Sequence, residues 1–329
     1  MAAREDKAAA HYEEKTTPFL RQLSASSPAV RAIYTFDPST ENLPVNRGRD
    51  ILYEKRNSPV KGAVYKFPRR IVVLLSYTCA ANCRYCERQD RVGVGLDAQG
   101  YLREEEIQRI VAFIQTKPEI NEVVLTGGDP LMNPRGLKFI ASLLSDLQQI
   151  RILRMHTRVP VQQPSLVDLQ LLTEVCSKFR TCYFSIHIDH PDELTTETEE
   201  QLLKIRKAGY IMLAQSVFLK GINDDLATLR SLFTRMSELG IRPYYIYHCQ
   251  AIPTTMKFVM PLEVEIDIMT QLREQLSGVA FPQHVIDIQH ARGKIIVPTN
   301  HWDLDLTRVR DFDNNWLAVE ERVMHSLES

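Results

Sequence analysis

From about residue 71 onward, short apolar runs alternate with longer stretches whose apolar residues recur every three or four positions. The short runs Ile71–Leu75, Val123–Leu125, Ile150–Met155, Cys182–Ile188, Ile211–Phe218 and Ile241–Tyr247 read as strands. Glu104–Gln115 carries Ile107, Ile110, Val111 and Ile114 on one helical face. Leu137–Leu147, Leu166–Phe179, Glu193–Lys207, Leu226–Leu239 and Leu262–Leu276 follow the same rhythm. Gly209 and Gly240 stand just past two of these helices, where a left-handed cap is wanted. A strand followed each time by a helix predicts a parallel sheet with right-handed crossovers. Six such units give an α/β fold, a partial (β/α)6 barrel that stays open, because a closed barrel takes eight. Residues 1–65 are polar and interrupted by Pro38, Pro44 and Pro59, which predicts a helical and irregular N-terminal wrap. Residues 66–250 would form the barrel, and 251–329 the last helix and a segment that closes its mouth.

Polar residues gather where the predicted strands end: Cys79 to Cys86, Gly127-Gly128-Asp129, Thr157-Arg158, His187 to His190, Gln215-Ser216 and His248-Cys249-Gln250. Chemistry in barrels of βα units sits at those ends, so the pattern itself points to one site. Composition adds exclusions. The chain has 329 residues, 44% of them hydrophobic, and a formal net charge of −1. It can bury a large core, and its mixed charge offers no basic face to nucleic acid or a membrane surface. No apolar run reaches membrane-spanning length, and Met1 to Lys7 lacks the apolar heart of a signal peptide. A cytoplasmic protein is expected.

Three of the six cysteines carry the strongest chemical signal. Cys79, Cys83 and Cys86 follow the first apolar run as Cys-x3-Cys-x2-Cys. Three thiolates on one loop can hold three irons of a 4Fe–4S cubane and leave the fourth iron open to a substrate or cofactor; a fourth cysteine would close it. Zinc needs four ligands, and no Cys or His pair follows at finger spacing. A disulfide does not suit a reducing compartment. Cys176, Cys182 and Cys249 lie in helical or strand-like runs and read as core fillers. His187 and His190 have no third ligand at motif distance and read as hydrogen-bonding groups.

The triad resembles the signature of the radical S-adenosylmethionine superfamily. Further stretches, in order, are similar to the lysine 2,3-aminomutase family from Lys66 to Pro298: Phe67 to Arg70, Leu125 to Leu131, Thr157 to Pro160, His187 to Pro191, Gln215 to Asp224, Arg242 to Tyr247 and Gly293 to Pro298. The resemblance implies a 4Fe–4S cluster on Cys79, Cys83 and Cys86, with S-adenosylmethionine and pyridoxal 5′-phosphate as further cofactors. It implies that Gly127, Gly128 and Asp129 hold the amino end of S-adenosylmethionine, that Tyr85 lies against its adenine and that Gln215 contacts it. Glycines there let backbone approach a ligand, and Asp129 can accept from an amine or a ribose hydroxyl. Lys294 matches the lysine that binds pyridoxal phosphate, and its apolar setting predicts an amine of lowered pKa. Arg70, assisted by Lys66, matches a phosphate-binding arginine, Tyr247 a tyrosine near the cofactor ring and Arg88 a clamp for the substrate α-carboxylate. The implied reaction is a 1,2-amino shift on a free amino acid. A deoxyadenosyl radical removes a β-hydrogen, and nitrogen moves to the β-carbon to give a β-amino acid. A reductant such as flavodoxin or ferredoxin would supply the electron. Family members associate, so a homo-oligomer is also implied; the N-terminal 60 residues are a candidate for that contact.

Two departures bear on the substrate. Asp287, seven residues before Lys294, matches one of two aspartates that hold a lysine side chain in this family, but Gln250 stands where the other belongs. One carboxylate and an amide compensate a buried ammonium less well, so a guanidinium, a shorter amine or a polar neutral side chain competes with lysine. The family's arginine-rich run after the last cysteine is here Glu87-Arg88-Gln89-Asp90. Three other readings stay open: a radical enzyme of this fold with a changed reaction, such as a lyase or decarboxylase; an aminomutase acting on free lysine for later attachment to elongation factor P; and a non-catalytic iron–sulfur protein.

Overall fold

The computed structural model describes residues 12–41, 51–92, 100–288, 293–301, 308–310 and 315–318; the opening residues weighed above as a leader lie outside these. Three short helices come first: α1 (Pro18–Ser26), α2 (Pro28–Tyr34) and α3 (Pro38–Glu41). Thr17 and Ser27 cap the first two by accepting a backbone N–H from the first turn. Pro38, read above as a breaker, opens α3; the first helical position has no use for an N–H and suits the fixed φ of proline. The hairpin β1 (Ala63–Phe67) and β2 (Arg70–Ser76) leads into the barrel. There follow α4 (Glu104–Gln115), β3 (Glu122–Gly127), α5 (Pro134–Ser145), β4 (Ile152–Thr157), the single turn α6 (Val159–Gln162) and α7 (Leu169–Cys176). Then come β5 (Thr181–His187), α8 (Thr196–Lys207), β6 (Ile211–Val217), α9 (Leu226–Glu238), β7 (Arg242–Tyr247), α10 (Leu262–Gln275), β8 (Gln283–Asp287) and β9 (Lys294–Ile296). Among the described residues the strands β10 (Arg308–Arg310) and β11 (Trp316–Ala318) form a separate two-stranded sheet.

Strands β1 to β9 form one sheet in chain order. β2 to β8 run parallel, and the edges β1 and β9 run antiparallel to their neighbours. The six predicted βα units are all present as a partial, open barrel. The outer positions Leu153 and Met155 of β4, and Cys182, Phe184 and Ile186 of β5, join the main core with Ile107, Ile110, Val111 and Ile114 of α4. Side chains alternate along a strand, so Arg154, His156, Tyr183, Ser185 and His187 line the concave face. The same parity places Arg70, Gln215 and Tyr247 there, because Ile71, Val73, Ala214 and Ile246 face outward. No helix among the described residues is long and apolar enough to cross a membrane.

Candidate active site

The loop after β2 carries Cys79, Cys83 and Cys86 as free thiols. Burial pushes all three up, Cys83 to about 12, and Cys79 and Cys83 also feel Cys86 as a like charge. Iron held by these thiols would remove the difficulty, because a metal-bound thiol gives up its proton outright. Among the described residues no three His, Cys, Asp or Glu side chains converge on a single ion; a cubane takes each thiolate on a different iron and makes no such demand. The N-terminal segment walls the loop. Lys15 Nζ donates to Thr78 Oγ1 at 3.0 Å and to the Cys79 carbonyl at 2.5 Å. Burial, then the three thiols, hold the Tyr12 hydroxyl well above its ordinary range. The buried guanidinium of Arg84 donates to Glu41 and to the carbonyls of Tyr12 and Glu13. Weak periodicity hid these contacts from the sequence.

Gly127 and Gly128 meet a packing demand of their own. Gly127 has φ 129°, and a Cβ there would lie 2.1 Å from the Ser76 carbonyl oxygen; one on Gly128 would lie 2.4 Å from that of Thr78. The glycines let the end of β3 close on the cysteine loop. Asp129 is also committed internally. It accepts from Thr157 Oγ1 at 2.8 and 2.9 Å, Arg158 N at 2.7 Å and Leu131 N at 3.0 Å. Burial nonetheless pushes its carboxyl up to about 6. The carboxylate expected to meet an amine or ribose hydroxyl is thus used inside the protein, and the N–H groups of Gly128 and Asp129 bond the carbonyls of Ser76 and Thr78. Tyr85 turns inward too, rather than lying open for an adenine. Its hydroxyl bonds Asp189 and Arg158, the Arg158 guanidinium stands 5.5 Å from its ring and Phe258 packs edge-on at 6.3 Å. A buried phenol needs a polar partner, and the partner here is internal.

Lys294 sits opposite Asp287 in the β8–β9 register. Its Nζ lies 2.7 Å from Asp287 Oδ2 and 4.5 Å from the Tyr247 ring centre. Burial works against the ammonium, but Tyr247 and Asp287 outweigh it and raise the pKa, the reverse of the expected lowering. The Gln250 amide donates one of its two N–H groups to the backbone carbonyl of Asp287, so it braces the strand end as well as facing the site. Arg88 is already filled. It forks onto Glu54, Nε to Oε2 at 3.2 Å and Nη2 to Oε1 at 2.6 Å, while Glu87 Oε1 stands 3.8 Å from Nη1. The clamp expected to take a substrate carboxylate holds one of the chain's own. Glu54 carried no sequence signal, and Glu87 only that of a departure.

Gln215 lines up with His187 and Tyr245 across β5, β6 and β7. Burial and the cations Arg158, Arg88 and Lys294 hold His187 down to about 3, so it is neutral. Arg70 lies at the far end of β2 from the cysteines, in register with Glu122, its guanidinium 4.2 Å from the Phe67 ring. Glu122 also pairs with Arg154. The buried Arg154 Nε, His156 Nε2 and Ser185 Oγ have no hydrogen-bond partner among the described residues. Together with Arg70 this donor set fits an anion such as a phosphate, within one concave face that also holds Lys294.

Residues 73–233 match the Radical SAM superfamily. The chain is 30% identical over 285 residues to an L-lysine 2,3-aminomutase of Buchnera aphidicola, covering 86% of this chain and 83% of that one. It is 30% identical over 253 residues to the L-lysine 2,3-aminomutase of Clostridium subterminale, covering 77% of this chain. It spans 60% of that protein's length and 66% of a relative from Aquifex aeolicus. A radical SAM methyltransferase from Sphaerobacter thermophilus shares the fold, with TM-score 0.51 at 14% identity over 70% of this chain and 69% of that one.

Proposed function

This chain belongs to the lysine 2,3-aminomutase family of radical S-adenosylmethionine enzymes, and on that footing we propose that it moves an amino group from the α- to the β-carbon of a free amino acid with the help of pyridoxal phosphate. The family brings a 4Fe–4S cluster and S-adenosylmethionine. The observation that carries the rest is the Lys294–Asp287–Tyr247 group at the same end of the barrel as the cysteines. Bound pyridoxal phosphate supplies an aldehyde that takes amines and a π-system that spreads an unpaired electron. Lys294 would anchor it, Tyr247 would lie by its ring, and Arg154, His156 and Ser185, with Arg70 further down the same face, would meet its phosphate. An ammonium must lose a proton before it can attack, and Asp287 Oδ2, at 2.7 Å, is placed to take it. The gathered barrel walls would keep water from the radical.

The filled fork of Arg88 favours one competing reading, a lyase or decarboxylase of the same fold whose substrate carboxylate is handled differently. One experiment separates the two. Anaerobically reconstituted protein would receive pyridoxal phosphate, S-adenosylmethionine, dithionite and a pool of the twenty amino acids, with products followed by mass spectrometry. A new isomer of one amino acid, absent in Lys294→Ala, is the expected outcome and names the substrate. A cleaved or carboxyl-free product would favour the competitor. Release of 5′-deoxyadenosine without any new product, unchanged in Lys294→Ala, would overturn the dependence on pyridoxal phosphate.

A further inference from the structure

The turn α6 ends in Gln162, a residue 1% exposed that belongs to none of the motifs above. Its amide grips the loop between Cys79 and Cys83. Oε1 accepts from the Ala81 N–H at 3.2 Å, and Nε2 donates to the Ala81 carbonyl at 3.0 Å. An amide nitrogen has two hydrogens. The second is directed at a cluster ligand, with Nε2 3.6 Å from Cys83 Sγ. The reverse orientation would set the amide oxygen against a carbonyl and a thiolate and its NH2 against an N–H, so the network admits one assignment. The backbone of Gln162 is pinned as well: its carbonyl accepts from Thr17 Oγ1 at 2.5 Å, and its N–H donates to the Arg158 carbonyl at 3.0 Å.

From this geometry we propose that Gln162 is a tuning and positioning residue for the iron–sulfur cluster: its N–H···S bond to Cys83 raises the reduction potential, and its clamp on Ala81 keeps that bond aligned. The proposal rests on the family's cluster and not on the mutase reaction or pyridoxal phosphate. Reduction adds negative charge that spreads over the cluster sulfurs, and a donor to sulfur stabilises the reduced state more than the oxidised one. The surroundings explain the need. Arg158, the strongest charge acting on Cys83, is tied to both Asp189 and Glu193, so its positive field at the sulfur is partly spent on them. A neutral donor adds stabilisation of the reduced state without adding another buried ion.

The test is a redox titration of the reconstituted cluster, read by electron paramagnetic resonance, in wild type, Gln162→Glu and Gln162→Leu. Glutamate keeps an acceptor for the Ala81 N–H and removes the amide donor; leucine removes both. The expected result is normal iron content in each and a potential lower by about 59 mV, a tenfold shift in the oxidised-to-reduced ratio of a one-electron couple. Unchanged potentials in variants with an intact cluster would overturn the proposal, since a merely structural residue changes iron content and leaves the potential alone. Should the variants lose iron, the wild type decides. Electron–nuclear double resonance on the reduced cluster, with glutamine labelled by nitrogen-15 and solvent exchanged to D2O, should show an exchangeable proton and a glutamine nitrogen coupled to the cluster. Absence of both couplings would equally overturn it.

Discussion

Lys294 shows how neighbours reverse what burial alone would do. Its sequence setting, small and apolar, argued for a desolvated neutral amine, yet the fold brings Asp287 to 2.7 Å and the Tyr247 ring to 4.5 Å and keeps it an ammonium. Removing the carboxylate takes away one of the groups that offset burial and leaves Tyr247, so the amine should deprotonate at lower pH. The expectation is that Asp287→Asn extends covalent attachment of pyridoxal phosphate, trapped with borohydride, to lower pH than in wild type. Lys294→Ala should trap none. An unmoved profile would mean that Tyr247 sets the charge by itself. The residue was legible from its motif, but its ionic state was not, because that depends on a strand pairing. The same holds for Arg88, whose partner Glu54 lies 34 positions away, and for Gln162, 79 positions from Cys83. The cysteines were legible because three ligands on one loop are a local geometry.

Among the elements, α10 is fastened to the sheet by a buried charge. Glu265 accepts from His248 Nδ1 at 3.0 and 3.1 Å, just past β7, and from His284 Nε2 on β8 at 2.9 Å. Burial would raise the Glu265 carboxyl, but the two histidines pull it below its ordinary value. A depressed folded pKa gives stability that is complete above the unfolded value, about 4.3, and is lost as pH falls through the folded one. Urea unfolding of the apoprotein should therefore weaken more steeply below that pH in wild type than in Glu265→Gln, whose amide does not titrate. Equal acid slopes would show that the histidine contacts do not lower this carboxyl. The helices and parallel strands around this joint were legible because each carries a full period of its pattern. β8 and β9 have only five and three residues, too short for a period to show. The N-terminal helices were obscured because Pro18, Pro28 and Pro38 begin them, and proline at a first turn looks like a breaker when read alone.

Among the described residues the buried apolar side chains form three separate cores. The main one runs from Ala63 to Ala280 and joins the strands β2 to β7 to their helices. A second packs Leu20, Val30, Ile33 and Tyr34 of the N-terminal helices against Ala81 and Tyr85 of the cysteine loop. The third, Leu262, Ile266, Ile286, Ile288 and Val297, is what holds β9 and therefore Lys294. Of its buried members only Val297 lies beyond residue 288. Burying one such side chain contributes about 1.5–3 kcal/mol, a cost the other two cores can absorb. A chain ending at Ile288 should thus remain folded, retain its iron and release 5′-deoxyadenosine from S-adenosylmethionine on reduction, while taking up no borohydride-trappable pyridoxal phosphate. That outcome would separate radical generation from amine capture into two structural layers, one built on the main and N-terminal cores and one hung on the small C-terminal cluster. Loss of iron together with pyridoxal phosphate would show instead that Lys294, through Glu87 beside Cys86, makes the cysteine loop and the last strand one cooperative unit.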